Sequence, residues 1–155
     1  LHLEFPDWQL DIYGEDYLGT QTKLEQQIEE AGLQNVIHFK GSTENMLEHM
    51  SEYSIYAMTS ETECFPMVLL EALSIGLPIV SYDCPNGPRH IIDNGEDGIL
   101  VKHKDVEALA TELNTMMRNP AERQRVQKLA KDNYLRFTTP KVMKQWQTLL
   151  NLPHV

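Results

Sequence analysis

Two carboxylates, Glu63 and Glu71, flank the segment Phe65-Pro66-Met67-Val68. Glu71 follows Met67, Val68, Leu69 and Leu70 and precedes Ala72 and Leu73, a helical run apolar on nearly every face and therefore expected to be buried. An ionised carboxylate away from water costs several kcal/mol unless it is paired, so Glu71 needs a cation, backbone donors or the hydroxyls of a ligand. A carboxylate set against vicinal hydroxyls makes charge-assisted hydrogen bonds, which would let Glu71 hold a ribose and Glu63 a sugar. Pro66, read as the first helical residue, leaves the N–H groups of Met67 and Val68 free to meet a phosphate. From Pro66 to Glu71 a helix rises about 7 to 8 Å, a span that fits a diphosphate across the helix end. The plainer alternative is that Glu63 is a solvated loop residue and Glu71 is neutralised by a neighbouring lysine. Spacing by itself leaves both open.

The elements that would position these residues alternate. Trp8 to Tyr13 reads as a strand, Thr22 to Ala31 as a helix, Val36 to Phe39 as a strand and Thr43 to Met50 as a short amphipathic helix capped at Ser42 or Thr43. Ser54 to Thr59, Pro78 to Tyr82 and Gly98 to Val101 supply further strands, with helices starting at Pro66 and near Arg89 between them. From Asp105 the pattern is helical: Val106, Leu109, Ala110, Leu113 and Met117 form one stripe, and Asn119-Pro120 and Thr139-Pro140 open two more helices. Strand and helix in alternation imply crossovers and a parallel sheet with helices on its faces, in an α/β Rossmann-like fold with a helical C-terminal tail. Ligands of such sheets sit outside the carboxyl ends of the strands. Four loops qualify: Gly14 to Asp16, Phe39 to Ser42, Thr59 to Pro66, and Asp83 to Pro88, the last stiffened by its prolines and turned by Asn86-Gly87.

A chain of 155 residues with 41% hydrophobic content suits a single domain over residues 1–155. A formal net charge of −10 disfavours nucleic acid and anionic membrane surfaces, so an anionic ligand must be met by backbone dipoles or by residues outside this chain. Cys64 and Cys84 lack the spacing of a disulfide scaffold or a zinc site, and the six histidines show no ligand pattern, so no metal is assigned. No apolar run approaches the roughly 20 residues that cross a bilayer, and no secretory signal is visible at the start, so a cytoplasmic location is expected. The opening Leu1, without Met, reads as the tail of a helix in a longer protein.

The wording of these motifs is more specific than their spacing. Thr59-Ser-Glu-Thr-Glu-Cys-Phe-Pro-Met-Val-Leu-Leu-Glu-Ala72, Gly76-Leu-Pro-Ile-Val-Ser-Tyr-Asp-Cys-Pro-Asn-Gly-Pro88, Ile91-Ile-Asp-Asn-Gly95 and Asp97-Gly-Ile-Leu-Val101 resemble the C-terminal, nucleotide-sugar-binding domain of group 1 (family 4) retaining glycosyltransferases with the GT-B fold. The likeness runs from Trp8 through the Trp146 helix. It implies one half of a two-domain enzyme that transfers sugar from a UDP- or GDP-sugar to an acceptor, in polysaccharide or glycoconjugate synthesis. By that resemblance Glu63 contacts donor-sugar hydroxyls and steadies the developing oxocarbenium charge, and Glu71 binds the ribose. Phe65, Pro66, Met67 and Val68 hold sugar and diphosphate through backbone amides, and Phe39 and Lys40 lie beside the nucleobase. No metal or other cofactor is implied, because a helix dipole and basic side chains neutralise the leaving diphosphate. The N-terminal acceptor domain of the same protein would be the partner, and the full-length enzyme could sit peripherally at the inner membrane.

Three departures accompany the likeness. Cys64 stands where the family commonly has Gly, and His90 occupies a position often acidic. The family's diphosphate-gripping Arg and Lys would lie before Leu1, so the isolated segment is expected to fold but not to turn over. The alternative is a catalytically silent GT-B or flavodoxin-like domain that binds a nucleotide or a protein. Met46, Met50, Met58, Met67, Met116 and Met117 read as core filler. In the family the last helix returns toward the partner domain, which makes the apolar side of the Trp146 helix a candidate exposed surface.

Overall fold

The computed structural model describes residues 1–151, so residues 152–155 of the expected domain lie outside the described residues. The chain divides into two compact units, Leu1–Met46 and the part from Leu47 onward. Each is described by itself.

In the first unit, strand β1 (Leu10–Tyr13) leads into helix α1 (Gln21–Glu30), and β2 (Ile37–Gly41) returns parallel to β1 with Leu10 opposite Ile37 and Ile12 opposite Phe39. The register breaks between Ile12 and Tyr13, so that Tyr13 faces Gly41. At this carboxyl end the two strand exits are tied together: Gly14 N–H donates to Gly41 O at 2.9 Å and the Ser42 hydroxyl donates to Glu15 Oε1 at 2.6 Å. Leu10, Ile12, Leu24, Ile28, Ile37 and Phe39 line an apolar depression of about 260 Å³.

The second unit opens with α2 (Met46–Met50), whose first residue closes the preceding unit. This helix is shorter than the expected 43–50. The Thr43 hydroxyl accepts from the Asn45 N–H at 3.1 Å, a local side-chain turn that competes with helical pairing and delays the first turn. There follow β3 (Tyr56–Met58), α3 (Met67–Ile75), β4 (Ile79–Asp83), α4 (Pro88–Ile91) and β5 (Ile99–Lys102). The sheet is parallel throughout in the order β3-β4-β5, with Tyr56 opposite Ile79 and Val80 opposite Ile99. Central β4 is buried along its first residues, as a strand covered on both faces must be.

The helical tail comprises α5 (Val106–Arg118), α6 (Pro120–Tyr134), a 3₁₀ turn (Leu135–Phe137) and α7 (Thr139–Leu149). Asp105 and Asn119 cap α5 and α6 through hydrogen bonds from Ala108 N–H (2.9 Å) and Glu122 N–H (3.1 Å). Val80, Tyr82, Val101, Leu109, Met116 and Val126 form one packed cluster that joins the sheet to α5 and α6. The inward stripe of α5 therefore runs through Leu109 and Met116, while Val106, expected on it, is 68% exposed because the helix has only begun there. Gly76, at φ +76°, ends α3 where a Cβ would come within 2.7 Å of the Gln127 carbonyl oxygen, so α3 and α6 touch backbone to backbone. The apolar side of α7 is open: Met143, Trp146, Leu149 and Leu150 are each at least half exposed.

Candidate functional site

Parallel β3, β4 and β5 send three loops to one edge of the sheet, and each loop is held to a neighbour. The loop after β3 carries Glu61, Glu63 and Phe65; that after β4 carries Cys84 to Gly87; that after β5 carries His103 and Lys104. Lys104 Nζ donates to Glu61 Oε2 at 2.9 Å, and this bond, ahead of the charge itself, holds the exposed Glu61 carboxyl below the usual carboxylate range. Glu63 N–H donates to Pro85 O at 3.4 Å, a long bond between the first and second loops.

The second loop is built to accept that approach. Asn86 sits at φ 57° and Gly87 at φ 139°, the expected turn pair, and a Cβ on Gly87 would stand 2.8 Å from Pro66 Cδ and 3.1 Å from Glu63 Cβ. Glycine here lets one loop lie against the other. Arg89 then straps the turn back to the strand with a forked pair, Nε to Asp83 Oδ1 at 2.9 Å and Nη2 to Asp83 Oδ2 at 2.8 Å.

Helix α3 starts at Met67, one residue later than expected, because Pro66 has an extended ψ of 103° and is the residue before the helix, not its first. No side chain caps this end. The first backbone acceptor used is Pro66 O, bonded by Leu69 N–H at 3.0 Å, and the Met67 and Val68 amides precede any intrahelical bond. Met67 is 60% exposed and Phe65 45%, so the helix mouth opens to solvent. Glu71 lies one turn inside. It is half-buried where the apolar run implied full burial; Leu69, Ala72 and Leu73 are the residues of α3 that are fully enclosed.

Neither key carboxylate carries a cation: among the described residues no Lys or Arg ion pair reaches Glu63 or Glu71. The lysine-neutralised alternative for Glu71 is thereby removed. Both charges instead act on one phenol. Burial first, then Glu63, then Glu71, push the Tyr56 hydroxyl from its ordinary value of 10.0 up to about 12. Glu63 also faces Cys84, whose fully buried thiol is raised by burial and then by that charge. Tyr56 was not singled out in the sequence. It opens β3, the strand that leads into the Glu63 loop, and no motif marks it.

The expected residues thus divide. Glu63, Phe65, Pro66, Met67, Val68 and Glu71 share one loop–helix junction in the second unit. Phe39 and Lys40 lie on β2 in the first unit, where Lys40 Nζ is 3.3 Å from Asp11 Oδ2 and Phe39 lines the apolar depression. Among the described residues no group of three or more His, Cys, Asp or Glu could hold a metal ion, and no helix is long and apolar enough to cross a membrane.

Parallel strands, intervening helices and an open helix mouth at the carboxyl edge define a Rossmann-like α/β protein of the kind found in GT-B glycosyltransferases. The family described as "Glycosyl transferases group 1" matches residues 1–133, and the chain belongs to it. An exopolysaccharide phosphotransferase of Streptomyces coelicolor is 36% identical over 148 residues, which cover 94% of this chain and 15% of that protein. A poly(glycerol-phosphate) alpha-glucosyltransferase of Bacillus subtilis is 29% identical over 150 residues, 96% of this chain and 22% of that one. The crystal structure of Anabaena HepE with UDP-glucose superposes with a TM-score of 0.82 at 26% identity, over 95% of this chain and 42% of HepE. The chain therefore spans less than half the length of these relatives.

Proposed function

We propose that the junction of Glu63 to Glu71 binds the diphosphate and sugars of a nucleotide-sugar donor, and that the full-length protein transfers the donor sugar to an acceptor with retention of configuration. The observation that carries this reading is the pair of cation-free carboxylates beside an uncapped helix mouth. The Met67 and Val68 amides and the positive end of the α3 dipole receive the diphosphate, which has few other places to go in a chain of net charge −10. Glu71 accepts from the ribose hydroxyls. Glu63 accepts from donor-sugar hydroxyls and stabilises positive charge at the anomeric carbon as the leaving group departs. The family resemblance extends the reading to Phe39 and Lys40 for the nucleobase.

HepE, a relative by fold and sequence, was crystallised with UDP and with UDP-glucose, which makes a UDP-sugar the first donor to test. The glucosyltransferase relative of B. subtilis places a polymeric, phosphate-linked glycan among acceptors to try. In the full-length protein, Glu63→Ala should lower kcat for sugar transfer at least about 100-fold while leaving UDP affinity within a few-fold. Transfer by that variant at the parent's rate would remove Glu63 from the chemistry.

A further inference from the structure

The C-terminal tail reaches the donor loop through aromatic contacts that start from a buried charge. Asp97, between α4 and β5, is fully buried; its Oδ1 accepts from Asp93 N–H at 2.6 Å, and Arg136 Nη2 lies 2.9 Å from its Oδ2. The same guanidinium donates to the carbonyl oxygens of Ile91 and Asn133, so it is fixed from three sides. Its central carbon sits 4.8 Å from the centroid of the Phe137 ring. Phe137 in turn meets Phe65 edge to face, with centroids 6.3 Å apart and planes at 68°. Phe65 immediately precedes Pro66, whose backbone aims the open amides of α3.

A ring 45% exposed on a loop would ordinarily sample several rotamers; here one edge rests on a partner that is anchored to a buried carboxylate. We propose that Arg136 and Phe137 are positioning residues for the donor site: the 3₁₀ turn Leu135–Phe137 is a buttress that holds Phe65, and through it the Met67 and Val68 amides, in the geometry that receives the diphosphate. Both residues fall beyond the span 1–133 that the family model matches. The inference rests on the donor-binding reading above and adds what holds that site in shape.

The test uses the full-length protein, its Phe137→Leu, Phe137→Tyr and Phe65→Leu variants and the Phe65→Leu/Phe137→Leu pair. Backbone hydrogen exchange across residues 63–68 and calorimetric UDP binding are measured well below the unfolding temperature. Loss of one edge-to-face contact should weaken UDP binding and speed exchange at Met67 and Val68 about 2- to 10-fold in either leucine variant. Phe137→Tyr, which keeps the ring, should restore both, and the double variant should be no worse than the poorer single one. Phe65→Leu alters a half-exposed residue and so probes the contact without endangering the fold. Unchanged exchange in both single variants, or additive effects in the pair, would overturn the buttress. A parent protein that bound no nucleoside diphosphate would instead sink the donor-binding reading, and the exchange arm would still decide whether the tail holds the loop.

Discussion

Gly87→Ala isolates the close packing on which the site geometry depends. The added methyl meets Pro66 Cδ at 2.8 Å and Glu63 Cβ at 3.1 Å, with Cys64 O at 3.4 Å. Pro66 and the Cys64 carbonyl cannot swing aside like the end of a flexible chain, so the loop carrying Glu63 must shift by some tenths of an ångström. The backbone cost comes on top, since φ 139° with ψ −79° is a region that alanine occupies only under strain of about 1–3 kcal/mol. Gly95→Ala is the matched control: Gly95 also has a positive φ, 86°, but nothing stands within 4 Å of its would-be Cβ. Overpacking of this kind adds about 1–3 kcal/mol, so Gly87→Ala should lose about 2–6 kcal/mol in urea unfolding where Gly95→Ala loses about 1. UDP titration of the folded variants should then show weaker binding in Gly87→Ala alone. If the two variants unfold alike and bind UDP alike, the two loops do not define each other's position and the packing argument fails.

Tyr56→Phe should change the alkaline limb of stability. Folding raises the phenol from 10.0 to about 12, so below pH 10 both states keep the proton, and between pH 10 and 12 only the folded state does. Stability should fall by about 1.4 kcal/mol per pH unit in that window, roughly 2–3 kcal/mol in all, and the Phe variant should lack that component in urea titrations at pH 9 to 12. Arg136→Met strands the fully buried Asp97 charge and should cost about 3–5 kcal/mol, most of it recovered by adding Asp97→Asn; an equally unstable double variant would show that the charge is not the cause.

Much of the scaffold can be read from residue pattern, because short β-rich runs, Asx and proline helix starts and turn glycines are local signals. Asp105, Asn119 and Asn86-Gly87 do in the structure what their chemistry announces. Local signals also misplace things by a residue or two: Pro66 precedes its helix, and Thr43 bonds Asn45 before helix can form. The pattern of α3 implies a fully buried Glu71, yet an apolar run reports neighbours along the helix and not which face the rest of the fold covers; Leu69, Ala72 and Leu73 are enclosed and Glu71 is only half-buried. What no pattern carried was contact across the chain. Gly87 against Pro66, and Asp97–Arg136–Phe137–Phe65, each join residues brought together only by the parallel sheet and its tail.

The uncompensated charge at Glu71 separates its two candidate partners. Glu71 stands about 6 Å of helix rise from the first residue of α3, close enough for its charge to repel an anion held at the helix mouth. At that range one pair of unit charges interacts by about 0.7 kcal/mol in water and about 2.8 kcal/mol at an effective dielectric of 20. Glu71 therefore weakens any bare phosphate at the Met67 and Val68 amides, and is worth keeping only if hydroxyls of the same ligand repay it with charge-assisted hydrogen bonds. Glu71→Gln should accordingly act in opposite directions on two probes: inorganic pyrophosphate should bind about 3-fold tighter or more, and UDP should bind about 10-fold weaker through loss of the ribose contact. Isothermal titration of both probes on one variant measures the crossing directly. If UDP and pyrophosphate shift together, the carboxylate is sensing only charge, and the ribose assignment falls while the phosphate site at the helix mouth stands.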